Sequence, residues 1–314
     1  MDKICIGIDV GGTTVKIGAF KETGQLMDKW EVQTRKEDNG AYILEDISKS
    51  IRQWLLKQDI ALQQVVGCGM GVPGPVMPDG YVEVCVNLGW KDCNPVKELS
   101  AMLDGVYVKC ANDANIAALG EMWQGGGKGY TDLVMITLGT GVGGGVIIKE
   151  KIQAGVNGLA GEIGHIHVRK EEKEMCNCGG YGCLEQVASA TGIAREARRL
   201  MQNADTDSAM RQHGDKITAK EVIDAAKEGD LLADQVVETM GYYLGVVMAQ
   251  VSMTIDPQRY VIGGGVSKAG DFLLDKIEKY YHQFTPISKK KASIGLAELG
   301  NDAGIYGAAK LILD

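Results

Sequence analysis

The sequence predicts an α/β protein built from two related lobes that face one cleft. Two strand–turn–strand units carry this prediction, because residues 4–10 and 14–20 bracket one glycine-rich turn, and residues 133–138 and 145–149 bracket another. The two units lie about 130 residues apart, which indicates a duplication. A chain of 314 residues is also long for a single hydrophobic core and natural for two domains.

Local patterns place the remaining elements. Asn94 followed by Pro95 is typical of a helix start, because Asn caps the first turn and Pro is tolerated there. Thr218 and Glu221 match a capping box at the start of another helix. The predicted elements are strands at 27–34, 65–71, 106–110 and 258–262 and helices at 40–57, 113–123, 185–202, 218–228, 230–253, 269–283 and 303–313. The predicted lobes are residues 1–115 plus 300–314, and residues 116–299.

Charge and composition exclude several partners. The net charge of −8 and the pI near 5.2 disfavour nucleic acid, because a phosphate backbone requires a basic surface. No long apolar stretch and no basic leader occur, so we expect a cytoplasmic protein without a membrane partner. The cysteines outside residues 176–183 are scattered, as expected of reduced thiols.

The most informative segment holds His165, Cys176, Cys178 and Cys183. Three thiols and one imidazole at this spacing predict a closed, tetrahedral, structural zinc site. The alternative is a reduced loop without metal, and His167 is a second candidate for the position of His165. Acidic residues flank the cluster, and the hypothesis is that the metal fixes them to point at a hydroxyl-rich ligand; they are Glu162 and Glu185.

The two glycine turns predict phosphate binding, because consecutive backbone N–H groups without side chains form anion-binding concavities. The first turn is Asp9 to Thr14, and the second is Leu138 to Gly144. The second contains a Gly-x-Gly-x-x-Gly pattern, but a strand follows it where a dinucleotide-binding fold requires a helix. A nucleotide-binding loop with the Gly-Lys-Ser/Thr ending is absent from the sequence.

These motifs together resemble the ROK family of sugar kinases and, within it, bacterial glucokinases. The resemblance covers essentially the whole chain. It is carried by residues 9–14, 71–75, 87–90, 112–115, 137–141, 162–185 and 263–267. The resemblance implies the duplicated actin-like (ribonuclease-H-like) ATPase fold, with ATP and Mg²⁺ as cofactors alongside the structural Zn²⁺, phosphorylation of glucose at the 6-hydroxyl, and a homodimer.

The resemblance also implies roles for individual residues. The catalytic general base is Asp113, which follows a strand at the start of a helix, where the helix dipole favours a carboxylate. Asp9 is expected to hold Mg²⁺ through water. Sugar contacts are expected from Gly71, Asn87, Asn112, Asp113, Glu162, His165 and Glu185. Nucleotide contacts are expected from Asp9, Gly11, Gly12, Thr13, Thr14, Thr137, Gly139, Thr140, Gly141, Gly264 and Gly265.

Some alternatives stay open at the level of sequence. The same framework serves kinases of N-acetylmannosamine, N-acetylglucosamine, fructose and allose. Polyphosphate is an alternative phosphoryl donor. A sugar-binding regulator without catalysis is disfavoured, because the first strand begins at about residue 3 and leaves no room for a DNA-binding module before it, and because Asp113 is present.

Overall fold

The computed structural model describes residues 3–313, so Met1, Asp2 and Asp314, at the ends of the predicted lobe ranges, lie outside it. Its strands are β1 (Ile4–Val10), β2 (Thr14–Lys21), β3 (Leu26–Gln33), β4 (Val65–Val72), β5 (Val82–Cys85), β6 (Trp90–Cys93), β7 (Val108–Asn112), β8 (Leu133–Leu138), β9 (Val142–Ile148), β10 (Lys151–Ile152), β11 (Arg259–Gly263) and β12 (Ser293–Leu296). Its α-helices are α1 (Glu37–Gly40), α2 (Ile43–Lys57), α3 (Pro95–Met102), α4 (Asp113–Gln124), α5 (Glu185–Ala188), α6 (Ala190–Asn203), α7 (Ala219–Lys227), α8 (Leu231–Ile255), α9 (Asp271–Phe284) and α10 (Ala303–Leu313).

Two five-stranded sheets share one design. The first has the order β3-β2-β1-β4-β7, with β1 antiparallel to β2 and parallel to β4. The second has the order β10-β9-β8-β11-β12, with β9 antiparallel to β10 and with β11 parallel to both β8 and β12. In each sheet an antiparallel half joins a parallel half. The predicted duplicated α/β fold is thereby confirmed, and the small β5–β6 sheet is an addition that was not predicted.

By packing, the chain divides into two compact units. Unit 1 holds the residues up to Thr131, Gly145–Ala160 and the residues from Glu298 onward. Unit 2 holds Asp132–Gly144 and Gly161–Ala297. The predicted lobes, 1–115 plus 300–314 and 116–299, divide the chain at different positions. The physical reason is Glu121 of α4, a buried carboxylate that accepts hydrogen bonds from the backbone N–H groups of Glu298 (3.0 Å) and Leu299 (2.9 Å) and so keeps α4 in unit 1.

Each unit has its own apolar core. In unit 1, β1, β2, α2 and β4 contribute fully buried side chains such as Ile6, Ile17 and Ile47. In unit 2, the long helix α8 is apolar over most of its length and packs against α7 and α9. Among residues 3–313, no helix combines the length and the apolar composition that crossing a membrane requires.

The helix α10 lies directly against β4 and α4 because glycines face it. An added Cβ on Gly69 of β4 would lie 1.7 Å from the carbonyl oxygen of Ala308. A Cβ on Gly307 of α10 would lie 1.7 Å from the carbonyl oxygen of Ile116 in α4. Backbone therefore packs on backbone, and no larger residue fits without displacing a helix.

Two local features differ from the predictions, one in a helix of unit 2 and one at the edges of the second sheet. The predicted helix 185–202 is interrupted at Ser189, whose backbone is extended and whose hydroxyl accepts a hydrogen bond from the N–H of Gly192. Serine competes with the helix ladder in this way and begins a new helix instead. Strands β10 and β12 were not predicted, because they are short and at sheet edges.

We expect Gly307→Ala to lower the free energy of unfolding by about 2–3 kcal/mol, because the new methyl group overpacks the contact between α10 and α4. Urea unfolding at neutral pH measures the loss. Gly129→Ala is the matched control: nothing lies within 4 Å of its added Cβ, so only the left-handed backbone, worth about 1 kcal/mol, is disfavoured. Equal losses in the two variants would contradict the packing account.

Candidate active site

The first glycine turn, between β1 and β2, is fixed by hydrogen bonds from the end of β3. The N–H of Gly11 donates to the carbonyl oxygen of Thr14 at 3.1 Å. Thr34, which is buried, donates its N–H to the carbonyl oxygen of Thr13 (2.9 Å) and its hydroxyl to that of Gly11 (2.7 Å). The shape of the turn is therefore set by Thr34, a residue that sequence analysis did not identify.

The start of α4 holds Asp113 in a defined orientation. Asn112 is the N-cap, and its side-chain oxygen accepts hydrogen bonds from the N–H groups of Ala114 (3.0 Å) and Asn115 (3.2 Å). The side-chain amide of Asn112 donates to Oδ1 of Asp113 at 3.0 Å, and the N–H of Ala114 donates to the same oxygen at 2.8 Å. These two donors orient the carboxylate at the positive end of the helix.

Strand pairing brings Asp9, near the carboxyl end of β1, to the same end of the first sheet as the last residues of β7, which precede Asp113. Asp9 pairs with Gly71 of β4, and Gly71 pairs with Ala111 of β7. Burial and, to a smaller extent, the nearby charge of Asp113 raise the pKa of Asp9 to about 6, while Lys16 opposes the shift. Two carboxylates whose charges repel each other in this way favour a nearby cation.

The predicted sugar residues of unit 1 occupy different environments. Gly71 is buried within β4, whereas Asn87 is exposed on the link between β5 and β6. Asn87 nevertheless reaches the first glycine turn, because its carbonyl oxygen would lie 3.7 Å from a Cβ built on Gly12. The structure thus brings the turn and Asn87 together.

In unit 2, the second glycine turn is attached to α5 and α6. Oε2 of Glu185 accepts a hydrogen bond from the N–H of Val142 at 2.9 Å. The hydroxyl of Thr191 donates to the carbonyl oxygen of Thr140 at 2.7 Å, and the N–H of Ala190 donates to that of Gly139 at 2.8 Å. These contacts connect predicted phosphate-binding and sugar-binding residues within one unit.

A cavity of about 450 Å³ opens beside these contacts. It brings together four residues that the sequence predicted and adds Asn177, Cys178 and Thr191 as lining residues that it did not predict for this role. Glu162, also predicted as a sugar contact, lies close by, with its Oε2 at 3.9 Å from Nε2 of His165. The four predicted lining residues are Thr140, Gly141, His165 and Glu185.

The cysteine–histidine cluster forms as predicted. The ligand atoms of His165, Cys176, Cys178 and Cys183 all lie within 4.8 Å of one another. Sγ of Cys176 lies 3.8 Å from Nδ1 of His165, and the sulfurs of Cys178 and Cys183 are 3.6 Å apart. Tetrahedral zinc ligands are about 3.6–3.8 Å apart, so the donor set fits this ion.

His167 lies outside the cluster. Its Nδ1 is 2.7 Å from the carbonyl oxygen of Tyr181, so this nitrogen donates a hydrogen bond to backbone. Within the cluster, burial raises the pKa of the Cys183 thiol to about 12, whereas a backbone N–H at Gly180 lowers the pKa of Cys178. A bound cation would therefore release thiol protons.

A buried ion network also holds the cysteine loop to α6. The side chain of Glu172 lies 2.6 Å from Arg199 and 3.2 Å from Arg195. The hydrogen bond from Arg199 lowers the pKa of Glu172 to about 2. Arg169 pairs with Glu196 of α6 at 2.7 Å. The loop is thus held in two ways: the cluster joins parts of the loop to one another, and the ion network joins the loop to α6.

A separate cavity of about 430 Å³ lies beside the glycines that follow β11. Gly265 lines it, and Gly264 precedes that residue in a left-handed conformation (φ 86°). A Cβ on Gly264 would lie 2.4 Å from the carbonyl oxygen of Leu138, at the second glycine turn. The other lining residues are Ala190, Thr218, Ala219, Lys220, Ile223, Asp224, Lys227, Val266, Lys268 and Ala269.

We expect Asp9→Asn to raise the free energy of unfolding of the ligand-free protein at pH 7.5, by up to about 3 kcal/mol. When folding raises the pKa of a carboxyl, the folded protein loses stability as the pH rises from about 4 to above 6, because the folded state disfavours the charged form of that carboxyl. The gain should shrink below pH 6 and vanish below about pH 4. Denaturant unfolding between pH 4 and pH 7.5, in Mg²⁺-free buffer, measures it. Asp59→Asn, at an exposed position, controls for the added amide; a gain that did not change with pH would contradict the account.

Comparison with known proteins agrees with this geometry. The model of the ROK family matches residues 5–314. The glucokinase of Halalkalibacterium halodurans is 44% identical over 316 residues, covering 99% of this chain and 95% of the relative. The glucokinase of Thermotoga maritima is 35% identical, covering 98% and 96%. The crystal structure of a ROK family glucokinase from Streptomyces griseus in complex with glucose and AMPPNP is 32% identical, covers 98% of both chains and gives a TM-score of 0.73. The chain belongs to the ROK family.

Proposed function

We propose that this protein is an ATP-dependent kinase that phosphorylates glucose at its 6-hydroxyl. The observation that carries the proposal is the position of Asp113, oriented by two hydrogen-bond donors at the start of α4 and close enough to Asp9 to raise its pKa. The similarity to glucokinases over nearly the whole chain, at up to 44% identity, supports glucose as the substrate.

In the proposed mechanism, Asp113 is the general base. Its carboxylate accepts the proton of the 6-hydroxyl while that oxygen bonds to the γ-phosphorus of ATP. The bond between the γ-phosphorus and the bridging oxygen breaks, and glucose 6-phosphate and ADP are the products. Because the transition state is loose, the remaining residues act by position and by charge rather than by covalent chemistry.

The other residues divide by chemistry. In unit 1, Asn87 and Asn112 offer amides and Gly71 offers backbone to sugar hydroxyls; in unit 2, Glu162, His165 and Glu185 offer acceptors and an imidazole. The glycine turns offer backbone N–H groups to phosphate oxygens. We assign these contacts to Gly11, Gly12, Thr13 and Thr14 and to Thr137, Gly139, Thr140 and Gly141, and the adenosine to the 430 Å³ cavity beside Gly264 and Gly265.

Two metal ions complete the proposal. Mg²⁺, held at Asp9 through water, would neutralise charge on the phosphates. Zinc, held by His165, Cys176, Cys178 and Cys183, would supply no chemistry of its own; it would fix the ring of His165 and the loop that carries it. The homodimer and the cytoplasmic location stay predictions.

We expect Asp113→Asn to lower kcat by about 10²- to 10⁴-fold, because the variant cannot accept the proton, while glucose still binds. Coupled detection of ADP measures kcat, and titration calorimetry measures glucose binding. Asp275→Asn, an exposed aspartate on α9, should behave as wild type. A variant at Asp113 that keeps more than about a hundredth of the rate would remove this residue from the general-base role.

We expect the purified protein to contain about one zinc ion per chain, by elemental analysis. Cys178→Ser should lose the zinc together with most of the activity, because three ligands remain where four are needed. Cys93→Ser, outside the cluster, should keep both. Full activity in metal-free protein would refute the structural role of zinc.

A further inference from the structure

Lys36 places a cation at the first glycine turn. Its side chain is exposed, and its Nζ would lie 3.3 Å from a Cβ built on Gly12. The carbonyl oxygen of Asn87 lies 3.7 Å from the same point. The ammonium group of Lys36 therefore occupies the space over Gly12 beside Asn87. The ammonium group is therefore next to both Gly12, a proposed phosphate contact, and Asn87, a proposed sugar contact.

The backbone around Lys36 is held in place by the turn itself. Thr34, two residues earlier, donates hydrogen bonds to the carbonyl oxygens of both Gly11 and Thr13. The carbonyl oxygen of Lys36 accepts a hydrogen bond from the N–H of Gly40 at 3.2 Å. The backbone of Lys36 is thus held in place, and only its side chain has to move to contact a ligand.

Neighbouring basic side chains are engaged elsewhere. Arg35 pairs with Asp46 at 2.6 Å, Lys29 pairs with Asp302 at 2.5 Å, and Lys16 donates to the carbonyl oxygen of Asn301 at 3.0 Å. Within residues 3–313, by contrast, Nζ of Lys36 makes no hydrogen bond or ion pair. Lys36 is therefore an available positive charge beside an array of backbone N–H groups that suits an anion.

We propose that Lys36 is a catalytic residue that donates a hydrogen bond from Nζ to a nonbridging oxygen of the phosphoryl group under transfer. The inference rests on the proposed function. Charge spreads over the three nonbridging oxygens while the bond to the leaving oxygen breaks and the bond to the sugar oxygen forms, so a cation that is hydrogen-bonded to one of these oxygens stabilises the transition state. Lys36 keeps its proton throughout, and the proton of the sugar hydroxyl goes to Asp113.

The test compares Lys36→Met, which keeps the length of the side chain and removes its charge, with Lys36→Arg, which keeps the charge. With saturating glucose and ATP, kcat of Lys36→Met should fall about 10²-fold, with the KM for glucose within threefold of wild type. Lys36→Arg should recover at least a tenth of the wild-type kcat. The Tm should not change, because Nζ has no partner to lose. Lys57→Met, an exposed lysine at the end of α2, is the matched control and should behave as wild type.

Several results would overturn the proposal. A kcat of Lys36→Met within twofold of wild type removes Lys36 from the chemistry. A raised KM for glucose with unchanged kcat places Lys36 on the sugar instead of the phosphoryl group. Equal losses in both variants, with a lowered Tm, indicate a structural role. Wild-type protein that does not phosphorylate glucose refutes the proposed function and this inference together, whereas an active wild type beside an unaffected Lys36→Met refutes this inference alone.

Discussion

The direct contact of the α10 backbone with the first sheet and with α4 is the constraint on which unit 1 depends. Glycines make it possible, since any side chain at Gly7 or Gly69 would collide with carbonyl oxygens of α10. The contact also sets the position of the acidic residues. A Cβ on Gly304, in the first turn of α10, would lie 2.5 Å from Oδ2 of Asp9, while α4 begins at Asp113. Direct backbone packing at these glycines thus puts both carboxylates at the same end of the sheet, where their negative charges favour a cation.

Unit 2 shows a different way to hold functional groups. Its cysteine loop is long and has little regular structure, so its shape depends on attachments rather than on a backbone ladder. The buried Glu172, with its arginine partners on α6, attaches the loop to that helix, and the cysteine–histidine cluster joins the loop to itself. Glu185 then connects this loop to the second glycine turn through the N–H of Val142. Glu162, His165 and Glu185 are therefore positioned by chemistry that is separate from their proposed contacts.

Sequence reasoning predicted what depends on local pattern. The paired glycine turns, the duplicated strands and the family were predicted and are confirmed; the four-residue cluster assembles as its spacing indicated, while zinc binding and the assigned site roles stay proposals. Sequence reasoning missed what depends on distant contacts. Thr34 and Lys36 meet the first turn only because β3 pairs beside it, and no motif marks either residue. The end of the first segment of unit 1, at Thr131, could not be predicted from local sequence, because the carboxylate of Glu121 accepts a hydrogen bond from backbone 177 residues further along the chain.

The central claim is tested most directly by the initial rate of ADP formation from ATP and Mg²⁺ across glucose, mannose, fructose, allose, N-acetylglucosamine and N-acetylmannosamine, with the product identified by phosphorus NMR. The account predicts the highest kcat/KM for glucose and glucose 6-phosphate as the product. A higher kcat/KM for another sugar would contradict the assignment of glucose. No sugar-dependent ADP formation with any of the six would contradict the assignment of a sugar kinase.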